Sequence, residues 1–279
     1  MKIIDSPDKG RLRGRAILLS ASVPALERAE IYKRIEAAEA IEEAVVSLAR
    51  AVFSEGGTLV FGGHPTISPL VALVAREYLA PLMAERSIGH DEGEARGPQV
   101  EIYQSRAYEG RIAEATQRLK QHSGVTVHWV DSVGDEVADP DVRDRPQAPE
   151  SMRLMRLEMV KRHDLAGMVC IGGMEGVEEE ARLFHEHQRT LPVFALESTG
   201  GAAGELALHV GNQRWLRVPE RGVRETVEKF WREGREHDAR ETVSDREQDF
   251  AFPYAYVAQK IVAEIINPYA HGERPGRVE

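Results

Sequence analysis

Six short runs of nearly unbroken apolar residues, separated by longer amphipathic stretches, set the tightest limit on how this chain folds. They are AILLSAS from Ala16, TLVFGG from Thr58, VEIYQS from Val100, TVHWVDS from Thr126, AGMVCIGG from Ala166 and PVFALES from Pro192. A strand with one wet face alternates apolar and polar residues, so runs this continuous read as strands covered on both faces. Helices fit the gaps, notably RIEAAEAIEEAVVSLARAVFSEG from Arg34, RIAEATQRLKQH from Arg111 and SMRLMRLEMVKRHD from Ser151. Strand and helix in turn predict an α/β fold with a doubly wound, Rossmann-like parallel sheet. No repeat of solenoid period interrupts that rhythm, and DEVADPDVRDRPQAPE from Asp135 reads as an exposed loop.

Composition narrows the class. With 279 residues, 42% of them hydrophobic, the chain can bury a substantial core, and no low-complexity linker divides it. The expectation is one domain over 1–279, with its core at about 14–216 and a C-terminal helical extension over 217–279. A formal charge of -10 argues against generic duplex-DNA binding, which relies on Lys and Arg neutralising phosphates. A single cysteine, Cys170, excludes an intramolecular disulfide and reads as inert packing inside its strand. The stretch MKIIDSPDKGRLRGR lacks the apolar centre of a signal peptide, and no apolar run is long enough to cross a bilayer. A cytoplasmic protein without membrane contact is expected.

In an open parallel sheet, ligands bind beyond the carboxyl ends of the strands. Four of those positions are unusual: SASVP after the first run, GGHPTISP after the second, GGMEG after the fifth and STGGAAGE after the sixth. Glycine turns let backbone N–H groups approach an anion, and a following helix N-terminus adds favourable partial charge. A Gly-Gly after a strand is also an ordinary tight turn; four on one edge point to a shared phosphate-bearing ligand. The candidate contacts are Ser20, Ser22, Gly62, Gly63, His64, Gly172, Gly173, Met174, Gly176, Ser198, Thr199, Gly200 and Gly201. His64 either touches ligand or caps the turn before Pro65, and Ser20 and Ser22 either bind phosphate or cap the following segment. Neither Gly-Gly loop fits the dinucleotide fingerprint or the Walker spacing with its lysine.

The stretch MRLMRLEMVKRHDLAGMVCIGGMEGVEEE resembles the SLOG superfamily, whose members include LOG-type phosphoribohydrolases and nucleotide-ligand sensors. In the LOG enzymes a helix carrying Met, Arg and Lys precedes a strand ending in Pro-Gly-Gly-x-Gly-Thr-x-x-Glu. Arg156 stands sixteen residues before Gly172, matching the spacing of the family's catalytic arginine, and Glu179 or Glu180 takes the place of its glutamate. Three departures weaken the hydrolase reading: one residue is added between the Gly-Gly pair and the next glycine, Val177 replaces the threonine, and Leu157 replaces the lysine after the arginine.

Together SASVP, FGGHPTISPL, IGGMEGVEEE and STGGAAGE resemble more closely the SLOG branch of bacterial conflict systems, including the ligand-sensing domain of Thoeris antiphage effectors. That resemblance implies recognition of a nucleotide-derived signal of the NAD or ADP-ribose type, a place in antiphage defence, and a homo-oligomer. The alternative is a LOG-like phosphoribohydrolase or related N-glycosidase in which Arg156, Glu179 and Glu180 are catalytic. In the sensor reading Glu179 and Glu180 accept from ribose hydroxyls, and Arg156 either offers its planar fork to phosphate or pairs with a glutamate across the helix packing.

Other features carry less. His185 and His187 stand two apart on an expected helix and face different ways, so no metal is expected, and no separate cofactor either. No glycine-x-serine-x-glycine elbow is present. Beyond Leu216 two helices are expected, one with Val223, Val227 and Phe230 on a stripe, the other FPYAYVAQKIVAEII; Phe252, Tyr254, Tyr256 and Ile261 either pack on their own chain or build an oligomer contact.

Overall fold

The computed structural model describes residues 10–24, 38–86, 99–112, 114–121, 124–139, 147–209, 215–235 and 252–267. One all-parallel sheet runs through it in the order β4-β3-β2-β1-β5-β6-β7. Its strands are β1 Ala16–Ser22, β2 Thr58–Gly62, β3 Gln99–Ser105, β4 Val125–Val130, β5 Leu165–Gly172, β6 Val193–Leu196 and β7 Leu216–Arg217. The helices are α1 Ala38–Ser54, α2 Ser68–Arg86, α3 Glu114–Leu119, α4 Pro149–Val160, α5 Glu175–His187, α6 Gly201–Leu208, α7 Pro219–Arg235 and α8 Tyr254–Ile266.

The six apolar runs are all strands, and the fold is the expected doubly wound α/β sheet. The two-residue β7 is too short to leave a periodic mark. Helix α4 begins at Pro149, inside the segment expected as loop, because a proline in the first turn has no N–H to lose. Of the helix expected from Arg34, Ala38–Ser54 is α1 and residues 34–37 lie outside the described residues; the helix expected from Arg111 begins at Glu114 in α3. Residues 140–146 also lie outside the described residues, as do the side chains of Val227 and Phe230.

Alternate residues of β1 serve two cores. Ile17 and Leu19 join a buried cluster with α1, α2 and α8, whereas Ala16 and Leu18 join one with α4, α5 and α6. Strands β1, β2, β5 and β6 are covered on both faces and have no wet side on which to alternate, which is why their sequences are so uniformly apolar. By contrast β4, at the sheet edge, is only partly buried, against the expectation that its run is covered on both faces. On the first face α8 buries Tyr254, Val257, Ile261 and Ile265. Gly167 of β5 makes room for this helix, since a Cβ there would stand 3.1 Å from Ile265 Cδ1. Tyr254 and Ile261, candidates for an oligomer contact, are thus covered by their own chain, Phe252 is half-buried, and Tyr256 remains 56% exposed.

The connections step from β1 outward to β4, and the chain then returns to the other side of β1 with β5. This reversal makes the β1/β5 junction the topological switch point, where an open α/β sheet leaves a crevice at its carboxyl edge. Paired residues of β1 and β2 end at Leu18↔Val60, while β1 follows β5 as far as Ser22↔Gly172. The last turn of β1 is therefore held against β5 and released from β2.

Candidate functional site

Helix α5 sets the chemistry of the crevice. Val177, Ala181 and Phe184 form the stripe that packs on the sheet, and Glu180 lies on the same stripe, so burying the apolar residues carries a carboxylate inward. It meets the carboxyl end of β1: Ser20 Oγ donates to Glu180 Oε2 at 2.5 Å. Glu179, one position round the helix, stays at the rim. The structure thereby separates two glutamates that are equivalent on the page.

Arg156 reaches across from α4, where Met155 and Met159 face the sheet. Its Nε donates to Glu180 Oε1 at 3.3 Å and its Nη1 to Glu179 Oε2 at 2.5 Å, and only 16% of the side chain is exposed. Arg153, one turn earlier, stands 3.5 Å from the other oxygen of Glu179. Sequence reasoning passed over Arg153, although its spacing of three from Arg156 was legible. Burial pushes the Glu180 carboxyl above its ordinary range, against the opposing pull of Arg156 and Ser20. Arg156 thus pairs with both glutamates.

The two glycine pairs meet beside this cluster. Gly172, Gly173, Gly200 and Gly201 all have positive φ. At Gly201, with φ +56°, an added Cβ would lie 2.6 Å from the Gly173 carbonyl oxygen, and at Gly173, with φ +86°, one would lie 2.2 Å from Val177 Cγ2. Only glycine satisfies both the dihedral and the approach. Two of the amides expected to face phosphate are engaged in the fold: Gly172 N–H donates to Thr199 Oγ1 at 2.8 Å and Gly173 N–H to the Ser22 carbonyl at 2.8 Å. The Thr199 hydroxyl donates in turn to Leu196 O at 2.7 Å. The turn is thus built by its own glycines and leads into the starts of two helices. Neither α5, with Met174 at its N-cap, nor α6, with Gly200 there, has a side-chain cap. The first N–H groups of a helix lack intrahelical acceptors; that of Ala202 in α6 donates to the Gly173 carbonyl at 3.0 Å, and the remaining first-turn amides of the two adjacent starts make an electropositive pole.

The β2 loop closes the α4 side. Gly62 faces Met155, and Gln104 Nε2 donates to the Gly63 carbonyl at 2.8 Å; a Cβ on Gly63 would stand 2.0 Å from that nitrogen. Gln104 is a second residue that sequence reasoning missed, since nothing in VEIYQS marks it. His64 Nδ1 lies 2.8 Å from Thr66 Oγ1 and accepts the Thr66 N–H at 3.3 Å. Desolvation pushes its imidazole down to about 4. His64 is therefore neutral at pH 7 and caps its own turn.

The structure brings Ser20, Ser22, Gly172, Gly173, Met174, Gly176, Arg156, Glu179, Glu180, Gly200 and Gly201 together, with Gly62 and Gly63 across from them. Ser198 turns elsewhere, to Glu220 of α7 and Tyr254 of α8. Val177 and Leu157 pack in the α4–α5–α6 core, Val177 buried and Leu157 partly so. His185 stacks on Trp215 with centroids 4.5 Å apart, while His187 Nδ1 lies 2.9 Å from Leu183 O. Cys170 is fully buried, and burial pushes its thiol up, out of nucleophilic range. Among the described residues no His, Cys, Asp and Glu group could hold a metal ion, and no helix is long and apolar enough to cross a membrane.

A family model described as the SLOG cluster3 family matches residues 32–217. That span holds every crevice residue except Ser20 and Ser22. A solved structure, the X-ray structure of TM1055, is similar over 73% of this chain and 90% of that chain, at 15% identity and with a TM-score of 0.38. No curated protein matches the chain.

Proposed function

The chain belongs to the SLOG cluster3 family, and on that premise we propose that it binds a phosphate-bearing, nucleotide-derived ligand of the NAD or ADP-ribose type and reads it as a signal. The observation that carries this reading is the meeting of two helix starts without side-chain caps, α5 and α6, at the switch point beside Arg156. A phosphate there accepts from helix-start amides and from the guanidinium, while ribose hydroxyls find acceptors in Glu179 or Ser22. Glu179 competes with phosphate for Arg156, so binding moves the rim glutamate and leaves Glu180 to hold the cation. A place in antiphage defence and a cytoplasmic location belong to the same proposal, on the resemblance of the four loops.

Sensing is preferred to turnover because both oxygens of Glu180 are taken, one by Ser20 and one by Arg156. Each oxygen keeps a second lone pair, but these two bonds and burial hold the carboxylate toward β1 and α4, whereas a general acid or base has to reach substrate. One observation supports a LOG-like phosphoribohydrolase as the second reading: a buried carboxyl with a raised pKa beside an arginine is an arrangement that acid–base chemistry uses. Calorimetry with ADP-ribose, NAD and AMP, joined to mass spectrometry of any ligand carried through purification, tests the proposal. Absence of binding by all three, with nothing co-purified, overturns it.

A further inference from the structure

Glu220 is an acid 1% exposed, at the first turn of α7, and it sits on the loop between β6 and α6. Its carboxylate accepts the backbone N–H of Glu197 and of Ser198, the latter at 3.1 and 3.3 Å, and also the Ser198 hydroxyl. The hydroxyl of Tyr254, at the start of α8, lies 2.5 Å from the same Ser198 Oγ. One buried cluster therefore ties the starts of both C-terminal helices to three consecutive groups of one loop. Leaving a buried carboxylate without those donors is costly, so loop and helices move together or not at all.

Next along the chain come Thr199, whose hydroxyl accepts the Gly172 amide, and Ala202 at the start of α6, whose N–H donates to the Gly173 carbonyl at 3.0 Å. A continuous path thus runs from α7 and α8 through Ser198 and Thr199 to the glycine turn before α5. The charged neighbours close the cluster: Arg221 Nε lies 3.7 Å from Glu197 Oε2. Burial raises Glu220 and pushes Tyr254 up to about 12, so Tyr254 stays protonated and able to donate at neutral pH.

We propose that Glu220, Ser198 and Tyr254 are positioning residues that couple the C-terminal helices α7 and α8 to the glycine crevice, making that helix pair the element through which occupancy is felt. The ligand half of this statement rests on the nucleotide reading above; the coupling itself does not. Coupling between two sites is reciprocal, so loosening the helices must loosen the turn, and filling the crevice must quiet the helices.

The test uses the full chain carrying Ser198→Ala or Tyr254→Phe, the second of which keeps the ring that α8 packs, alongside Glu220→Gln. Amide hydrogen exchange is read in peptides covering 170–176 and 197–204, with 99–105 of β3 as the remote control. The expected result is exchange about tenfold faster in the first two peptides and unchanged in β3. Unchanged exchange everywhere overturns the coupling, and so does an equal rise in all three peptides, which is general loosening. In the second arm ADP-ribose slows exchange over 219–226 and 254–266 in the wild-type protein and binds about tenfold more weakly to Tyr254→Phe. Equal affinity in wild type and variant overturns the coupling to ligand. A wild-type protein that ignores ADP-ribose, NAD and AMP sinks the nucleotide reading instead, while the exchange arm still decides whether helices and turn are coupled.

Discussion

Arg156 Nε stands 3.3 Å from Glu180 Oε1, and this ion pair joins the helix before β5 to the helix after it. Both side chains are largely covered, so the pair is fixed by packing and not by surface attraction. The same guanidinium serves Glu179, and the same carboxylate serves Ser20. Holding the pair together and binding an anion are therefore competing uses of one cation.

Removing the cation exposes that competition as a pH effect. Burial already places the folded pKa of Glu180 above its ordinary 4.5, and Arg156 pulls against the rise. A carboxyl that is raised on folding contributes stability that is full below about 4.5 and lost as pH climbs through the folded value. Arg156→Ala lifts that value further and, at pH 8, leaves a buried charge unpaired, at a cost of about 3–5 kcal/mol. Near pH 4.5 the carboxyl holds its proton and the cost shrinks. Urea denaturation at the two pH values checks this, and an equal loss at both contradicts it.

Gly176→Ala separates binding from folding. A Cβ there would stand 2.7 Å from Arg156 Nη2, the end of a flexible side chain that can swing aside, and alanine in a helix is favoured over glycine by about 0.5–1 kcal/mol. Nε can keep Glu180 while Nη2 swings aside, so thermal stability should fall far less than in Arg156→Ala. Affinity for ADP-ribose should fall about tenfold or more, since one charge-assisted hydrogen bond contributes about 1.5–3 kcal/mol. Unchanged affinity in calorimetry removes Arg156 from the ligand site.

Gly201→Ala is expected to damage the fold itself, because backbone and not side chain blocks its Cβ and the residue sits at φ +56°. The loss should reach about 2–3 kcal/mol. Gly134→Ala, also at positive φ but with nothing within 4 Å, should lose only about 1–2 kcal/mol from the dihedral. Similar midpoints for the two variants in denaturant contradict the close approach of the glycine turns. By the same geometry Gly173→Val strikes Val177 and misfolds, which makes it a poor probe of binding.

Turnover has its own readout. Incubation of the wild-type protein with nucleoside monophosphates or NAD should release no free base above background by liquid chromatography. Multiple-turnover release that vanishes in Glu180→Gln moves the assignment to the hydrolase.

Self-association is expected from the family resemblance, with the exposed Tyr256 on α8 as the aromatic available to a partner copy. Light scattering should give a mass above the 31.1 kDa of one chain, and Tyr256→Glu should lower it. A wild-type monomer at every workable concentration discards the expectation.

The strands and the place of the candidate site were legible because they rest on local patterns: AGMVCIGG is apolar throughout since β5 is covered on both faces, and Gly172, its buried last residue, leads with Gly173 into the turn that follows. Parallel topology then places the ends of β1, β2, β5 and β6 on one edge, so four glycine- or serine-bearing turns share a neighbourhood before any coordinate is known. Which groups face a ligand was not legible. Glu179 and Glu180 are alike in sequence, and the phase of α5 on the sheet buries one and leaves the other at the rim. The Gly172 amide goes to Thr199, and Ser198 goes to Glu220 and Tyr254, partners 22 and 56 residues away. A residue's type states what it can donate or accept. Which partner takes it depends on segments brought together across the sheet by burial of apolar area that none of the short polar motifs contains, so that decision belongs to the tertiary structure.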